Sequence, residues 1–342
     1  MYRVSLLICM RNEARYIEGC LRSIIAQDYP AEFLQVLIID GQSTDNSRAI
    51  VERLIANQPH CQLIHNPKMF QAAGWNIGIE CARGDIIGIV SAHSELAPDY
   101  VSQAVSTLQR TNADLVGGPM RAFGQGAWAQ VTALATSSPF GVGGARFHYA
   151  EREEQVDTVY MGVCRREVYA RIGGFDEEMV RNQDDELSYR LLEHGGKIIC
   201  NPAIKSKYFN RADLPGLGKQ YVQYGFWKVR VMQKHPRQMR LRQFVPPTFV
   251  AALLGAAILA PVFDWARVLF ALTLSVYLAT NLAVSFRIAR ATTWKHLHRL
   301  PIIFATLHFS YGSGFLAGLA RFGFAKTRSE GAKRAKNPSG LG

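Results

Sequence analysis

The chain contains the stretch Leu37-Ile38-Ile39-Asp40-Gly41-Gln42-Ser43-Thr44-Asp45, in which an apolar run ends at a carboxylate and small polar residues lead to a second one. The apolar run begins at Val36 and is typical of a strand that is buried on both faces. Asp40 stands where this strand ends, which is where ligands bind in open α/β sheets. A carboxylate there accepts hydrogen bonds from a base or a ribose. The stretch therefore predicts a nucleotide site without a glycine-rich phosphate loop.

Strands and helices alternate in the part of the chain around this stretch. Apolar runs predict strands over residues 4–9, 36–39, 62–65 and 85–90, and helical spacing predicts helices over 14–26, 45–56 and 70–82. Repeated units of this kind indicate a mainly parallel sheet with helices on both faces. We therefore expect an α/β domain over residues 1–212.

Charge is distributed unevenly along the chain, whose net charge is +12. Residues 1–225 contain 22 Lys and Arg against 25 Asp and Glu, whereas residues 226–342 contain 17 against 2. The basic residues flank long apolar runs, so anionic membrane lipids are the expected partner. Nucleic acid is not expected, because residues 1–225 are slightly acidic overall and the basic residues lie beside the apolar runs.

The C-terminal third is predicted to meet a membrane. Residues 213–243 form a basic amphipathic segment that suits a bilayer interface, with a surface helix packed on the domain as the alternative. The apolar runs that follow predict two to three transmembrane helices within residues 244–320. Two spans keep the basic tail, residues 321–342, in the cytoplasm with the other basic segments, as the positive-inside rule favours. The length of the apolar run 300–320 favours a third span, which would place the tail outside.

Three polar groups are candidates for chemistry beside Asp40. Asn12 and Glu13 suit a helix N-terminus, where anionic ligands also bind. His93 and Glu95 follow a buried strand and could ligate a metal, although a His at a strand end more often only hydrogen-bonds. The acidic run 184–186 either stabilises a helix dipole or contains a general base.

Taken together and in this order, the motifs resemble family 2 inverting glycosyltransferases of the GT-A fold. Within that family the chain most resembles the ExoA-type enzymes of succinoglycan and other exopolysaccharide assembly. The matching stretches are residues 66–68, 72–79, 84–100, 140–144, 157–176, 182–191 and 220–228. The resemblance implies a Rossmann-like GT-A domain followed by transmembrane helices. It also implies a bacterial inner (cytoplasmic) membrane, with the catalytic domain in the cytoplasm.

The resemblance also implies roles for individual residues. Asp184 matches the catalytic base, and His93 matches a ligand of a divalent metal, Mn²⁺ or Mg²⁺. The nucleotide-sugar donor would be held by Asn12, Glu13, Asp40, Asp45 and Ser91, with Arg211 as a supplementary diphosphate contact. The acceptor side would be shaped by Gly174, Phe175, Asp176, Glu186 and Trp227.

Two departures from the family pattern bear on the expected activity. Ser91 stands where the DxD motif has an acid, and Phe226 replaces the Arg of the Q-x-x-R-W motif of processive synthases. We expect transfer of one sugar per event from a nucleotide-diphospho-sugar, a UDP-sugar in the first instance, to a lipid-linked saccharide. The alternatives are a donor-binding assembly subunit that has lost catalysis at Ser91, and a polyprenyl-phosphate glycosyltransferase of the dolichol-phosphate type.

Overall fold

The computed structural model describes residues 1–210 and 213–323 and confirms the α/β class. The strands described there are β1 Val4–Met10, β2 Leu34–Asp40, β3 Cys61–His65, β4 Ile86–Ser91, β5 Ser94–Leu96, β6 Leu115–Gly118, β7 Arg121–Phe123, β8 Glu154–Gln155, β9 Tyr160–Arg165, β10 Ile198–Cys200 and β11 Ser206–Phe209. The helices of the same domain are α1 Ile17–Ile25, α2 Ser47–Ile55, α3 Gln71–Cys81, α4 Tyr100–Thr111, α5 Ala127–Thr136, α6 Pro139–Val142, α7 Arg166–Ile172 and α8 Gln183–Glu193.

Eight of these strands form one sheet in the order β3-β2-β1-β4-β9-β6-β10-β8. The first four are parallel, and β9 runs antiparallel to both of its neighbours. A smaller sheet has the order β5-β11-β7. The register pairs Met10 with Asp40 and Cys9 with Ser91, so the carboxyl ends of β1, β2 and β4 meet at one edge of the sheet. This edge is where an open α/β sheet binds its ligands.

The opening stretch of β2 is buried on both sides, as predicted. Val36 and Ile38 pack into the cluster beneath α1 and α4, whereas Leu37 and Ile39 pack into the cluster beneath α3 and α8. All four side chains are fully buried. Each contributes ~1.5–3 kcal/mol of hydrophobic stabilisation, so β2 is held firmly and places Asp40 at a fixed point.

The C-terminal part contains four long helices, α9 Leu214–Lys234, α10 Val245–Leu259, α11 Asp264–Ala291 and α12 Leu300–Phe322. Three segments of the described residues are long and apolar enough to cross a membrane, Leu241–Leu259, Asp264–Ala291 and Leu300–Phe322. Helix α12 is continuous through its glycines and packs against α9. A Cβ at Gly225 would lie 2.1 Å from the Tyr311 carbonyl oxygen, and one at Gly314 would lie 2.1 Å from that of Val222. Glycine at these positions lets the two helices approach closely.

The other end of α12 packs on the catalytic domain. Leu300, Ile303 and Phe304 share a buried cluster with Val131 and Ala135 of α5. Helix α12 therefore contacts the catalytic domain through α5, and along its length it packs on α9 and α10.

Candidate functional site

One continuous cavity of about 1590 Å³ begins at the carboxyl edge of the sheet and extends between the C-terminal helices. At the sheet edge it is lined by the ends of β1 and β4, and in the middle by the start of α8. At its far end it is lined by α10, α11 and α12. Of the residues predicted for donor, metal and catalytic roles, Glu13, Ser91, His93 and Asp184 line this cavity.

Asp40 lies directly behind the cavity wall. Its side chain is 2% exposed, and its Oδ1 accepts a hydrogen bond of 3.1 Å from the Ser43 backbone N–H. The neighbouring residues Ile39 and Gly41 do line the cavity. The strand thus brings the carboxylate to the predicted edge, where it also organises the turn that follows β2.

Asn12 and Asp45 connect the loops that follow β1 and β2. The Asn12 Oδ1 accepts from the Thr44 N–H at 2.8 Å, and the Asp45 Oδ2 accepts from the Ala14 N–H at 3.1 Å. Asp45 also accepts a hydrogen bond from the Ser47 hydroxyl at the start of α2. Burial raises the pKa of Asp45, but these hydrogen bonds outweigh it and lower the pKa overall. Both residues therefore fix the shape of the loops at the carboxyl edge of the sheet, which we call the nucleotide end of the cavity.

Glu13 and His93 meet on the cavity wall. Glu13 Oε1 lies 3.3 Å from His93 Nδ1, and both side chains are partly exposed. Glu95, the other metal candidate, instead faces Lys207 at 3.6 Å. In the described residues no cluster of three or more His, Cys, Asp or Glu side chains is arranged to hold a metal. Glu13 and His93 nevertheless suit a divalent ion that takes its other ligands from phosphate oxygens.

Asp184 stands at the start of α8, beside a buried ion pair. Asp185 contacts the ammonium group of Lys228, which is buried against the ring of Tyr189. Burial, followed by the charge of Asp185, raises the pKa of Asp184 from 3.8 to about 6. The Asp185 carboxylate keeps the pKa of Lys228 high although burial alone would lower it. A carboxylate with a pKa near the working pH is suited to act as a general base.

The residues predicted for the acceptor side lie behind the cavity rather than in its lining. Asp176 forms an ion pair with Lys234 at 2.7 Å, and Glu186 forms one with Arg190 at 2.7 Å. The remaining three pack against neighbouring groups. The Gly174 carbonyl accepts from Arg190, the Phe175 ring lies 4.5 Å from that of Trp75, and the Trp227 ring lies 5.7 Å from that of Phe322. These residues brace α8 and α9. Arg211 lies outside the described residues.

Several cavity residues escaped the sequence analysis. Arg181 donates from Nε to Gln223 Oε1 at 2.9 Å, and Arg242 forms an ion pair with Asp157 at 2.6 Å. Burial lowers the pKa of His148 to about 4, so its imidazole is neutral at pH 7. Arg181, Arg242 and His148 lie outside the stretches that resemble the family, and the fold brings them to the cavity.

The cavity also contains unsatisfied polar atoms. Four buried side-chain polar atoms of the described residues lack a hydrogen-bond partner, and three of them belong to residues that line this cavity: Trp75 Nε1, Asn210 Oδ1 and Tyr311 Oη. Buried polar atoms are normally paired. Their concentration in one cavity indicates a space that is filled by solvent or ligand.

A mainly parallel sheet with a polar cavity at its carboxyl edge is the arrangement of the GT-A fold. The sequence profile of glycosyl transferase family 2 matches residues 5–173, so this part of the chain is a family 2 glycosyltransferase domain.

Two curated relatives match along nearly the whole chain. Succinoglycan biosynthesis protein ExoA of Rhizobium meliloti (strain 1021) is 29% identical, over 91% of this chain and 93% of its own. A dolichyl N-acetyl-alpha-D-glucosaminyl phosphate 3-beta-D-2,3-diacetamido-2,3-dideoxy-beta-D-glucuronosyltransferase of Methanococcus voltae is 28% identical, over 93% and 97%. The similarity thus extends beyond the glycosyltransferase domain into the C-terminal helices.

Two solved structures share the fold. The mannosyltransferase PcManGT from Pyrobaculum calidifontis, in complex with GDP-Man and Mn²⁺, has a TM-score of 0.56 at 21% identity, over 90% of this chain and 87% of its own. S. aureus TarS in complex with UDP-GlcNAc has a TM-score of 0.51 at 14% identity, over 94% and 92%. At these identities the likeness establishes the GT-A fold alone.

Proposed function

We propose that the protein is a membrane-anchored inverting glycosyltransferase that moves one sugar from a nucleotide-diphospho-sugar, a UDP-sugar in the first instance, to a lipid-linked saccharide. The main support for this proposal is that one cavity is continuous from the sheet edge to the C-terminal helices. It joins the nucleotide edge of the sheet, the carboxylate of Asp184 and the apolar C-terminal helices. The relatives' names fit, since one acts in succinoglycan biosynthesis and the other on a dolichyl-linked sugar phosphate.

Asp184 is the proposed base of this reaction. Its carboxylate accepts the proton of the acceptor hydroxyl while that oxygen attacks the anomeric carbon and the nucleoside diphosphate leaves. A single displacement of this kind inverts the anomeric centre. The Asp185–Lys228 ion pair holds the start of α8 against α9 and keeps the neighbouring positive charge fixed.

The nucleotide end is the proposed donor site. Asp40, directly behind the cavity wall, and the loop held by Asn12 and Asp45 would shape the base and ribose end of the site, and Ser91 would line it. Glu13 and His93 would hold a divalent metal together with the donor diphosphate, as the Mn²⁺-bound structural neighbour suggests. A metal bound there neutralises the charge of the diphosphate leaving group.

The membrane arrangement is proposed from the packing of α12. Residues 1–212 are the cytoplasmic catalytic domain, and α10 and α11 form a hairpin across the bacterial inner membrane. Helix α12 packs on α5 and α9 of the cytoplasmic part and also on α10. Because its start is held on α5, we infer that it lies in the interface, where α9 and the basic residues near it would meet anionic lipids. With this arrangement the basic tail would be cytoplasmic, in agreement with the positive-inside rule.

A screen of radiolabelled sugar nucleotides against membrane lipid extract tests the proposal. We expect label in the lipid fraction with the wild-type chain and its loss with Asp184→Asn. Incorporation that persists in Asp184→Asn would show that another group is the base. UDP binding without turnover would favour a donor-binding subunit, and label on polyprenyl phosphate alone would favour a polyprenyl-phosphate glycosyltransferase.

A further inference from the structure

The cavity does not end at Asp184 but continues as an apolar groove among the C-terminal helices. Leu272, Val276 and Thr280 of α11 line this part. Their spacing of four residues places them on one face of the helix. Leu272 is 59% exposed and Val276 is 58% exposed, so the face is open to its surroundings. It forms a stripe ~12 Å long at the rise of an α-helix.

The floor of the groove is fixed by satisfied contacts. The Tyr277 ring stacks on Phe249 at 4.5 Å, and the Tyr277 hydroxyl lies 3.1 Å from His308 Nδ1. The other His308 nitrogen, Nε2, donates to the Phe140 carbonyl at 2.8 Å. The polar atoms at this depth are thus paired with one another. What remains for a ligand in the groove is an apolar surface.

The junction between the groove and Asp184 is polar and incompletely paired. Arg242 and Lys228 each have a carboxylate partner there. Arg181 has none among the described residues, and its Nε hydrogen bond goes to the neutral Gln223. Tyr311 also lines the cavity, and its buried hydroxyl has no hydrogen-bond partner among residues 1–210 and 213–323. A phosphate group, which is anionic and accepts hydrogen bonds, suits a guanidinium that donates only to neutral groups of the described residues, together with the Tyr311 hydroxyl.

We propose that the junction and the groove together bind a long-chain lipid phosphate. The phosphate contacts Arg181 and the Tyr311 hydroxyl, and the hydrocarbon chain lies along the α11 stripe at Leu272, Val276 and Thr280. This inference rests on the proposed function, because a saccharide attached to that phosphate would reach Asp184. To the proposed function it adds which part of the acceptor is bound, the lipid phosphate, and which residues bind it.

The test measures binding of a radiolabelled polyprenyl diphosphate to the full chain in detergent, with the donor site saturated by UDP. Val276→Trp fills the groove and is expected to weaken binding about tenfold. Leu278→Trp is the matched control, because Leu278 is an exposed apolar residue of the same helix that does not line the cavity. It should change the affinity by less than about twofold.

A second variant, Arg181→Gln, tests the contact with the lipid phosphate. Its affinity for UDP shows whether the variant is folded. We expect weaker binding of both the polyprenyl diphosphate and the short-chain farnesyl diphosphate, whereas Val276→Trp should affect mainly the long chain. Equal effects of Val276→Trp and Leu278→Trp would overturn the inference. Displacement of the lipid by equimolar inorganic diphosphate would also overturn it, since the site would then recognise free phosphate.

The proposed function fails in a different way. A wild-type chain that binds the polyprenyl diphosphate as described, yet transfers no sugar to any lipid-linked acceptor, would refute the function and leave the lipid site in place. A chain that transfers sugar normally with Val276→Trp and a long-chain acceptor would refute the lipid site and leave the function in place.

Discussion

Replacing Asp185 by asparagine should move the acidic limb of the pH–activity profile to lower pH. Asp184 must be ionised to accept the proton of the acceptor, and its pKa is raised from 3.8 to about 6 by burial and by the charge of Asp185. The substitution removes that charge and leaves the Lys228 ammonium group nearby. Both changes favour the ionised form of Asp184.

The ionised fraction of Asp184 limits the size of the effect. Burial is the larger cause of the raised pKa and remains in the variant, as do the hydrogen bonds and the Lys228 charge that lower it. Removal of the Asp185 charge should therefore lower the pKa of Asp184 from about 6. With that pKa about a tenth of Asp184 is ionised at pH 5, so the rate at pH 5 relative to its own maximum can increase by at most about tenfold.

Lys228→Met provides the opposite perturbation. Loss of the ammonium group removes a charge that lowers the pKa of Asp184, so the acidic limb should move to higher pH. Each single variant breaks a buried ion pair, at a cost of about 3–5 kcal/mol, so thermal unfolding is measured first. The assay is the initial rate of sugar transfer with saturating donor, from about pH 5 to about pH 8. The reasoning is refuted if both variants are active and their limbs move in the same direction, or do not move.

Four further outcomes are expected. Ser91→Asp should raise the affinity for UDP measured with Mn²⁺ by calorimetry, and lower affinity would contradict the placement of Ser91 in the donor site. His93→Ala should reduce the gain in UDP affinity that Mn²⁺ gives, and an unchanged gain would exclude His93 as a ligand. Gly225→Ala should destabilise the chain by ~1–3 kcal/mol in thermal unfolding, because its Cβ would meet the Tyr311 carbonyl at 2.1 Å. Gly255→Ala, whose Cβ meets nothing within 4 Å, is the matched control and should not destabilise. A protease-sensitive tag after the last residue should be cleaved only from the cytoplasmic side, and cleavage from outside would show that α12 spans the membrane.

Much of the fold could be predicted from the sequence because its central strands are buried on both faces. Such strands appear as uninterrupted apolar runs, and β1, β2 and β4 were found where those runs predict them. The strands β6 and β10 were not predicted. They are only 4 and 3 residues long, and their pairing with β9 and β6 depends on tertiary contacts rather than on a local pattern.

The first helix shows why boundaries were less accurate. The apolar spacing predicts a helix from residue 14, but α1 begins at Ile17. Asn12 adopts a positive φ of 57°, and its side chain accepts a hydrogen bond from the loop after β2. The residues between Asn12 and the start of α1 at Ile17 therefore form a loop. A hydrogen bond between two loops 32 positions apart leaves no periodic signal in the sequence.

The candidate site, like the fold, could be predicted only in part from the sequence. The carboxylates at strand and helix ends, such as Asp40 and Asp184, could be predicted because their position follows from local structure. The partners could not be, since Glu13 and His93 are 80 positions apart and Asp185 and Lys228 are 43 apart. Which carboxylate meets which cation depends on how α8 and α9 pack. The sequence contains each partner but not the contact between them.

The packing of α12 also accounts for Phe226 at the motif position where processive synthases have an Arg. The Phe226 ring lies 5.0 Å from that of Phe322, and the Phe226 carbonyl is 2.6 Å from where a Gly318 Cβ would be. Position 226 is partly buried, and an Arg there would replace the aromatic contact with α12. The guanidinium beside Gln223 instead comes from Arg181, on the loop before α8. In this arrangement α12 packs on α9, and a cation lies beside Gln223 without an Arg at position 226.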